Sequence, residues 1–143
     1  MSKRSSPLKG AARREDTREA QPLKRNQYLS FSFKYFKDQD DVGQSLATWA
    51  SGDLLASLIA KLHHISKVNI TELQTEKSIT NYRRFPPADK THFSCPSDLS
   101  KDDSWGVIRN IGGQKQRVAG FLRDNIFYIV FLDRDHKFWP TDN

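Results

Sequence analysis

The chain has 143 residues, a formal net charge of +6 and one cysteine, which is enough for one domain with a real core. A lone Cys95 excludes an internal disulfide, and there is neither a secretory signal nor a membrane-length apolar run, so a cytoplasmic protein is expected. The charge is uneven: residues 1–26 hold eight Lys/Arg against three acids, leaving fifteen against fourteen and only +1 in the remainder.

In chain order, residues 1–26 carry only Leu8 and Leu23 as sizeable apolar residues and cannot offset their ordering entropy by burial. They read as a basic, unstructured tail ahead of a single domain over 27–143. From Tyr28 the pattern becomes YLSFSFKYF, in which Leu29, Phe31, Phe33 and Tyr35 alternate with polar residues. That period of two predicts a strand with one face inward.

After a polar turn over 38–43, Leu46 and Trp49 suggest a short helical turn interrupted at Gly52. Leu55, Leu58, Ile59, Leu62 and Ile65 then form one apolar stripe at helical spacing, with Ser51 as N-cap and Asp53 in the positive first turn. Asn69 with Glu72 imitates a capping box and predicts a second short helix. His63 and His64 in the last turn of the longer helix read as surface residues.

Residues 78–104 show little periodicity and read as a long loop, either functional or mobile. Within it Arg83 and Arg84, beside Tyr82 and Phe85, form a candidate phosphate-and-stacking patch. His92 and Cys95 lack a second ligand pair at recognisable spacing, so a zinc site is not expected.

The C-terminal part reads as a three-strand antiparallel meander: 105–111, a turn at Gly112-Gly113, 116–123, a turn at Asp124-Asn125, and 126–132. The last run, IFYIVFL, is uninterrupted by charge and reads as a strand buried on both faces. A two-residue Asp124-Asn125 loop pairs Arg123 with Ile126 and sets Arg117 opposite Leu132, beside the polar exit Asp133 to Lys137. Arg123 then stands about 20 Å away and drops out of any shared site. Arg109 falls near 116–118; an even register puts it on the other face from Arg117, and one extra residue puts both on one face.

The exit cluster offers His136 as the titrator near neutrality, Asp133 and Asp135 as carboxylates, and Arg134 and Lys137 as cations. Those types suit phosphodiester cleavage without a metal: proton carriers for the attacking and leaving oxygens, and cations on the phosphorane. Phe138 or Trp139 would stack a splayed base, and RNA fits because its 2′-hydroxyl supplies the nucleophile.

The order strand, helix, helix, meander, ending in a basic His-containing segment, resembles the RelE/YoeB/HigB superfamily of bacterial toxins. VIRNIGGQKQRVAGF looks like that family's two basic strands, with Arg109 and Arg117 at its basic positions. IVFLDRDHKFW looks like its terminal cluster, with Arg134, Asp135, His136 and Lys137. The resemblance implies an α+β fold, with an antiparallel sheet of about four strands on two helices. It also implies a metal-independent endoribonuclease that cuts mRNA, often on the ribosome, needs no cofactor, and is neutralised by a protein antitoxin. Read from the residues themselves, the expected catalytic set is His136, Asp135, Arg117 and Arg109, with Lys137, Arg134, Trp139 and, from the loop, Arg83 and Arg84 as substrate contacts. Two other classes compete: a non-catalytic nucleic-acid or ribosome-binding module using the tail and Arg83-Arg84, and a protein-interaction adaptor docking through Phe138-Trp139.

Overall fold

A computed structural model describes residues 27–140; the basic tail over 1–26 lies outside the described residues. The elements in order are β1 (Ser30–Ser32), α1 (Leu46–Ser51), α2 (Leu54–Lys67), α3 (Ile70–Thr75), β2 (Ile79–Asn81), a 3₁₀ turn (Ala88–Lys90), β3 (Ser104–Ile108), β4 (Arg117–Arg123) and β5 (Ile126–Asp133). They build an α+β domain around one five-stranded sheet in the order β1-β5-β4-β3-β2.

The expected four-stranded antiparallel sheet is corrected in two ways. First, β1 runs parallel to β5, pairing Ser30 with Ile126 and Ser32 with Tyr128, so the sheet is mixed. Second, Ile79–Asn81, expected inside the long loop, is a fifth strand pairing antiparallel with Asn81 opposite Gly106 and Ile79 opposite Ile108. Three residues are too few to show a period of two, which is why this strand is silent in the sequence. The anticipated meander is present as β3-β4-β5.

The N-terminal alternation is cut short. After Ser32 the chain turns, with the Phe36 amide donating to Phe33 O, and it regains β5 through Lys37 N to Val130 O at 2.9 Å. The turn carries the chain around the sheet edge. Leu29 and Phe31 therefore pack on one side while Tyr35 packs on the other, and Phe33 stays exposed.

One side of the sheet is covered by helices. Leu58, Leu62 and Ile65 of α2, Trp49 of α1 and Leu73 of α3 bury against Ile108, Val118, Phe127, Ile129 and Leu132. Ile59, expected on that stripe, is 57% exposed because it falls on its outer margin. The helix caps also differ from expectation. Ser45 caps α1 by accepting from Thr48 N, and Asp53 occupies the N-cap position of α2 in a left-handed conformation. Asn69 does cap α3, accepting from Glu72 N.

The other side of the sheet is covered by the segment expected to be a mobile or functional loop. Phe85 and Phe93, with Leu99 and Cys95 at the margin, close over Trp105, Val107, Ala119, Phe121, Val130 and Phe131, and Phe138 joins them from the C-terminal end. Phe85 meets both Trp105 and Phe138 edge-on, at 4.9 and 5.3 Å between centroids. Each such burial contributes roughly 1.5–3 kcal/mol, so this stretch is a second core layer built from isolated aromatic pins.

One irregularity in the sheet shapes everything at its far end. Gly120 pairs with Ile129 but Ala119 pairs with Phe131, so Val130 is an extra residue on β5. Its carbonyl is taken by the Lys37 amide. Val130 and Phe131 both turn to the aromatic side, and beyond the bulge the register moves by one.

Candidate functional site

Because of that shift, Arg117 lies opposite Asp133 rather than Leu132. On the other flank Ile108 pairs with Val118, and the next step sets Arg109 beside Arg117 on the face of Val107 and Ala119. The extra residue that this needs is Asn110, left-handed at φ 58, and pairing resumes where Ile111 N donates to Gln116 O. Thus Gly112-Gly113 is part of a wider loop, and the one-residue offset sits before it.

At this end of the sheet lies a cavity of ≈ 470 Å³ lined by Lys77, Arg109, Asn110, Gln114, Lys115, Arg117 and His136. Among these described residues four side chains are basic and one is an imidazole. Fixed positive groups gathered in a concavity focus a potential that attracts anions. The guanidinium forks suit the oxygens of a phosphate.

Each lining residue is placed by a specific element. Lys77 sits in the turn after α3 at φ 61, its amide donating to Gln74 O. Arg109 is anchored to β2 through Nη1 donating to Thr80 Oγ1 at 2.9 Å. Arg117 is only 3% exposed. It donates from Nε and Nη2 to the carbonyls of Lys115 and Gln114, at 3.3 and 3.0 Å, so it also shapes the loop that brings Lys115 to the cavity.

His136 is held in the turn after β5 at φ 60. Its Nε2 lies 3.1 Å from Trp139 O. A carbonyl only accepts, so Nε2 carries the hydrogen and Nδ1 is the basic nitrogen of the neutral ring. The turn itself is tied by Asp133, whose buried carboxylate accepts from Lys137 N at 2.8 and 3.0 Å and from Phe138 N at 2.9 Å. Burial pushes the Asp133 carboxyl above its ordinary range, against the downward pull of those two amides and of Arg117.

Of the anticipated site residues, the cavity brings together His136, Arg117 and Arg109. Asp135 is elsewhere: it pairs with its neighbour Arg134 at 3.3 Å, both half-exposed, and neither lines the cavity. A carboxylate one residue before a left-handed His136 has its side chain turned outward, which sequence proximity cannot reveal. Lys137 contributes its backbone, with its carbonyl accepting from His92 N.

Trp139 stacks on Tyr82 at 4.5 Å between centroids, with the Arg84 guanidinium 5.9 Å from the Trp139 ring. Arg83 is exposed and left-handed, its amide donating to Asn81 Oδ1. Phe138 is fully buried, so it cannot serve as the stacking surface or docking patch that the sequence suggests.

Lys77 and Lys115 were not among the sequence candidates. Lys115 stands two positions before Arg117, and that Lys-x-Arg spacing at a hairpin end was available as a signal. Lys77 gave none, since only the fold brings the end of α3 beside β3.

Arg123 is remote, as the strand spacing requires: it is bound bidentately by Asp103 at 3.1 and 3.0 Å and lies over Phe121. His64 is a surface residue paired with Glu76 at 2.8 Å. His92 and Cys95 line a smaller cavity of ≈ 250 Å³ at the β1 side. Among the described residues no group of three or more His, Cys, Asp or Glu side chains could hold a metal, and no helix is long and apolar enough to cross a membrane.

Compared with known protein families, characterised proteins and solved structures, the chain shows no significant match.

Proposed function

We propose that this protein is a metal-independent endoribonuclease of RelE-like toxin type that cleaves messenger RNA within a toxin–antitoxin or phage-defence system. The observation that supports the reading is the gathering of Arg109, Arg117, Lys77, Lys115 and His136 around one cavity. In this reading the scissile phosphate enters the cavity and His136 takes the proton of the 2′-hydroxyl as it attacks phosphorus. The P–O5′ bond breaks, leaving a 2′,3′-cyclic phosphate and a 5′-hydroxyl. Arg109 and Arg117 neutralise the phosphorane charge. With Asp135 turned to Arg134, the proton for the leaving oxygen comes from the ammonium of Lys77 or Lys115. A protein antitoxin would act by covering this cavity.

The test is expression of wild type, His136→Ala and Arg109→Ala in a bacterial host, with RNA ends mapped and purified protein assayed in the presence of a chelator. Wild type should cleave in chelator and leave cyclic-phosphate ends. Removing the proton carrier should cost about 10²–10⁴-fold. Unchanged cleavage in both variants would refute the assignment.

A second reading, a nucleic-acid or ribosome-binding module without catalysis, is favoured by one observation: four of the seven described residues that line the cavity are basic, the pattern of a site that holds phosphates. It expects RNA affinity that needs Arg109 but is indifferent to His136, with a steep salt dependence.

A further inference from the structure

We infer that Tyr82, Trp139 and Arg84 form a base-stacking subsite for the nucleotide beside the phosphate held in the cavity, so that the substrate is single-stranded. The inference rests on the phosphate-binding reading of the cavity and adds what recognises the base.

Two links tie the platform to the cavity. The Trp139 carbonyl holds His136 through Nε2 at 3.1 Å. Tyr82 lies two residues beyond Thr80, whose hydroxyl anchors the Arg109 guanidinium. At strand rise that separation is about 7 Å, which is the reach of one nucleotide.

The outer layer of the stack is an exposed arginine. Tyr82 and Trp139 are in contact at 4.5 Å with their planes inclined by 31°. The Arg84 guanidinium stands 5.9 Å from the Trp139 centroid, and Arg84 is exposed. Two stacking intervals of about 3.4 Å each come to about 6.8 Å. Displacing the exposed Arg84 outward to that spacing admits a base between guanidinium and indole, a sandwich that arginine and aromatic side chains make with unpaired bases. A duplex keeps its bases stacked on one another and cannot supply one.

The probe is a hexamer of deoxyuridylate, which lacks the 2′-hydroxyl and is not cleaved, compared with a strand of the same length and phosphates but no bases. Wild type should bind the base-bearing strand at least about fivefold more tightly. Trp139→Ala should erase that preference while leaving affinity for the abasic strand unchanged, and Trp139→Phe should retain most of it. The wild type gives an independent readout, because Trp49 and Trp105 are fully buried and the chain has only three tryptophans. Quenching by the base-bearing strand and not by the abasic one would report on Trp139. A preference that survives in Trp139→Ala overturns the subsite. So does an absent preference in a wild type whose abasic-strand binding still depends on Arg109, a result that leaves the cavity reading standing. Failure of both strands to bind overturns the two together.

Discussion

The turn that presents His136 hangs on one buried carboxylate, and replacing Asp133 tests whether that is so. In Asp133→Ala the amides of Lys137 and Phe138 lose their acceptor, and Phe138 is wholly buried. A buried donor left unsatisfied costs about 1–3 kcal/mol, so the two together cost about 2–6 kcal/mol out of a total stability of about 5–15 kcal/mol. Asp133→Asn differs. Oδ2 alone lies 3.0 Å from Lys137 N and 2.9 Å from Phe138 N, so one carbonyl oxygen placed there serves both. The loss is then about 1 kcal/mol, one hydrogen bond. At roughly 4 °C per kcal/mol for a domain of this size, thermal unfolding should drop by at least about 8 °C for Ala and by about 4 °C for Asn.

The pH dependence of the same pair has a definite sign. Burial raises the folded-state pKa of Asp133 above its ordinary 3.8. The folded protein therefore keeps this proton at a pH where the unfolded chain has released it. Wild type should gain stability relative to Asp133→Asn as pH falls through the folded pKa towards 3.8, and lose that gain as pH rises again. Urea titrations of the three proteins over a pH series measure both effects. Equal losses in Ala and Asn, or a wild-type-minus-Asn difference that ignores pH, would refute the reasoning.

Three further predictions concern the frame of the fold. Gly120→Ala should destabilise by at least about 1–3 kcal/mol, because its new methyl would run into the Tyr128 carbonyl oxygen and stand 2.9 Å from the Phe127 ring. Gly52→Ala, where the nearest atom is 3.7 Å away, should leave the urea midpoint nearly unchanged. At the start of α1, the amide of Ser45 and the hydroxyls of Thr48 and Ser45 hold the Asp40 carboxyl below its ordinary value. That stability is present above pH 3.8 and is lost as pH falls through the lowered folded-state pKa. Asp40→Ala should therefore unfold less steeply in acid, as followed by circular dichroism, and an unaltered acid limb would disprove the contact's role.

Much of the architecture was legible because it rests on local pattern. The α2 stripe, the Asn69 cap, the Asp124-Asn125 turn and the uninterrupted run of β5 each follow from spacing and turn chemistry within about ten residues. The lining of the candidate cavity was legible in part, for the same reason: His136 and Arg117 are flanking features of one hairpin. Asp135 pairs with Arg134 outside the cavity, because adjacency in sequence does not fix where a side chain points after a left-handed turn.

The sequence by itself determined an α+β chain whose charged groups cluster where β5 leaves the core, since apolar period and turn residues act over a few positions. Only the tertiary structure decided the partners of that cluster. The Val130 bulge moves the β4–β5 register by one and puts Asp133 behind Arg117. Asn110 turns Arg109 to the same face, and the end of α3 delivers Lys77 from about thirty residues upstream of Arg109. A one-residue offset inverts every side chain beyond it, and it depends on the Lys37 amide and on the small Ala119-Gly120 pair, contacts that no local pattern records.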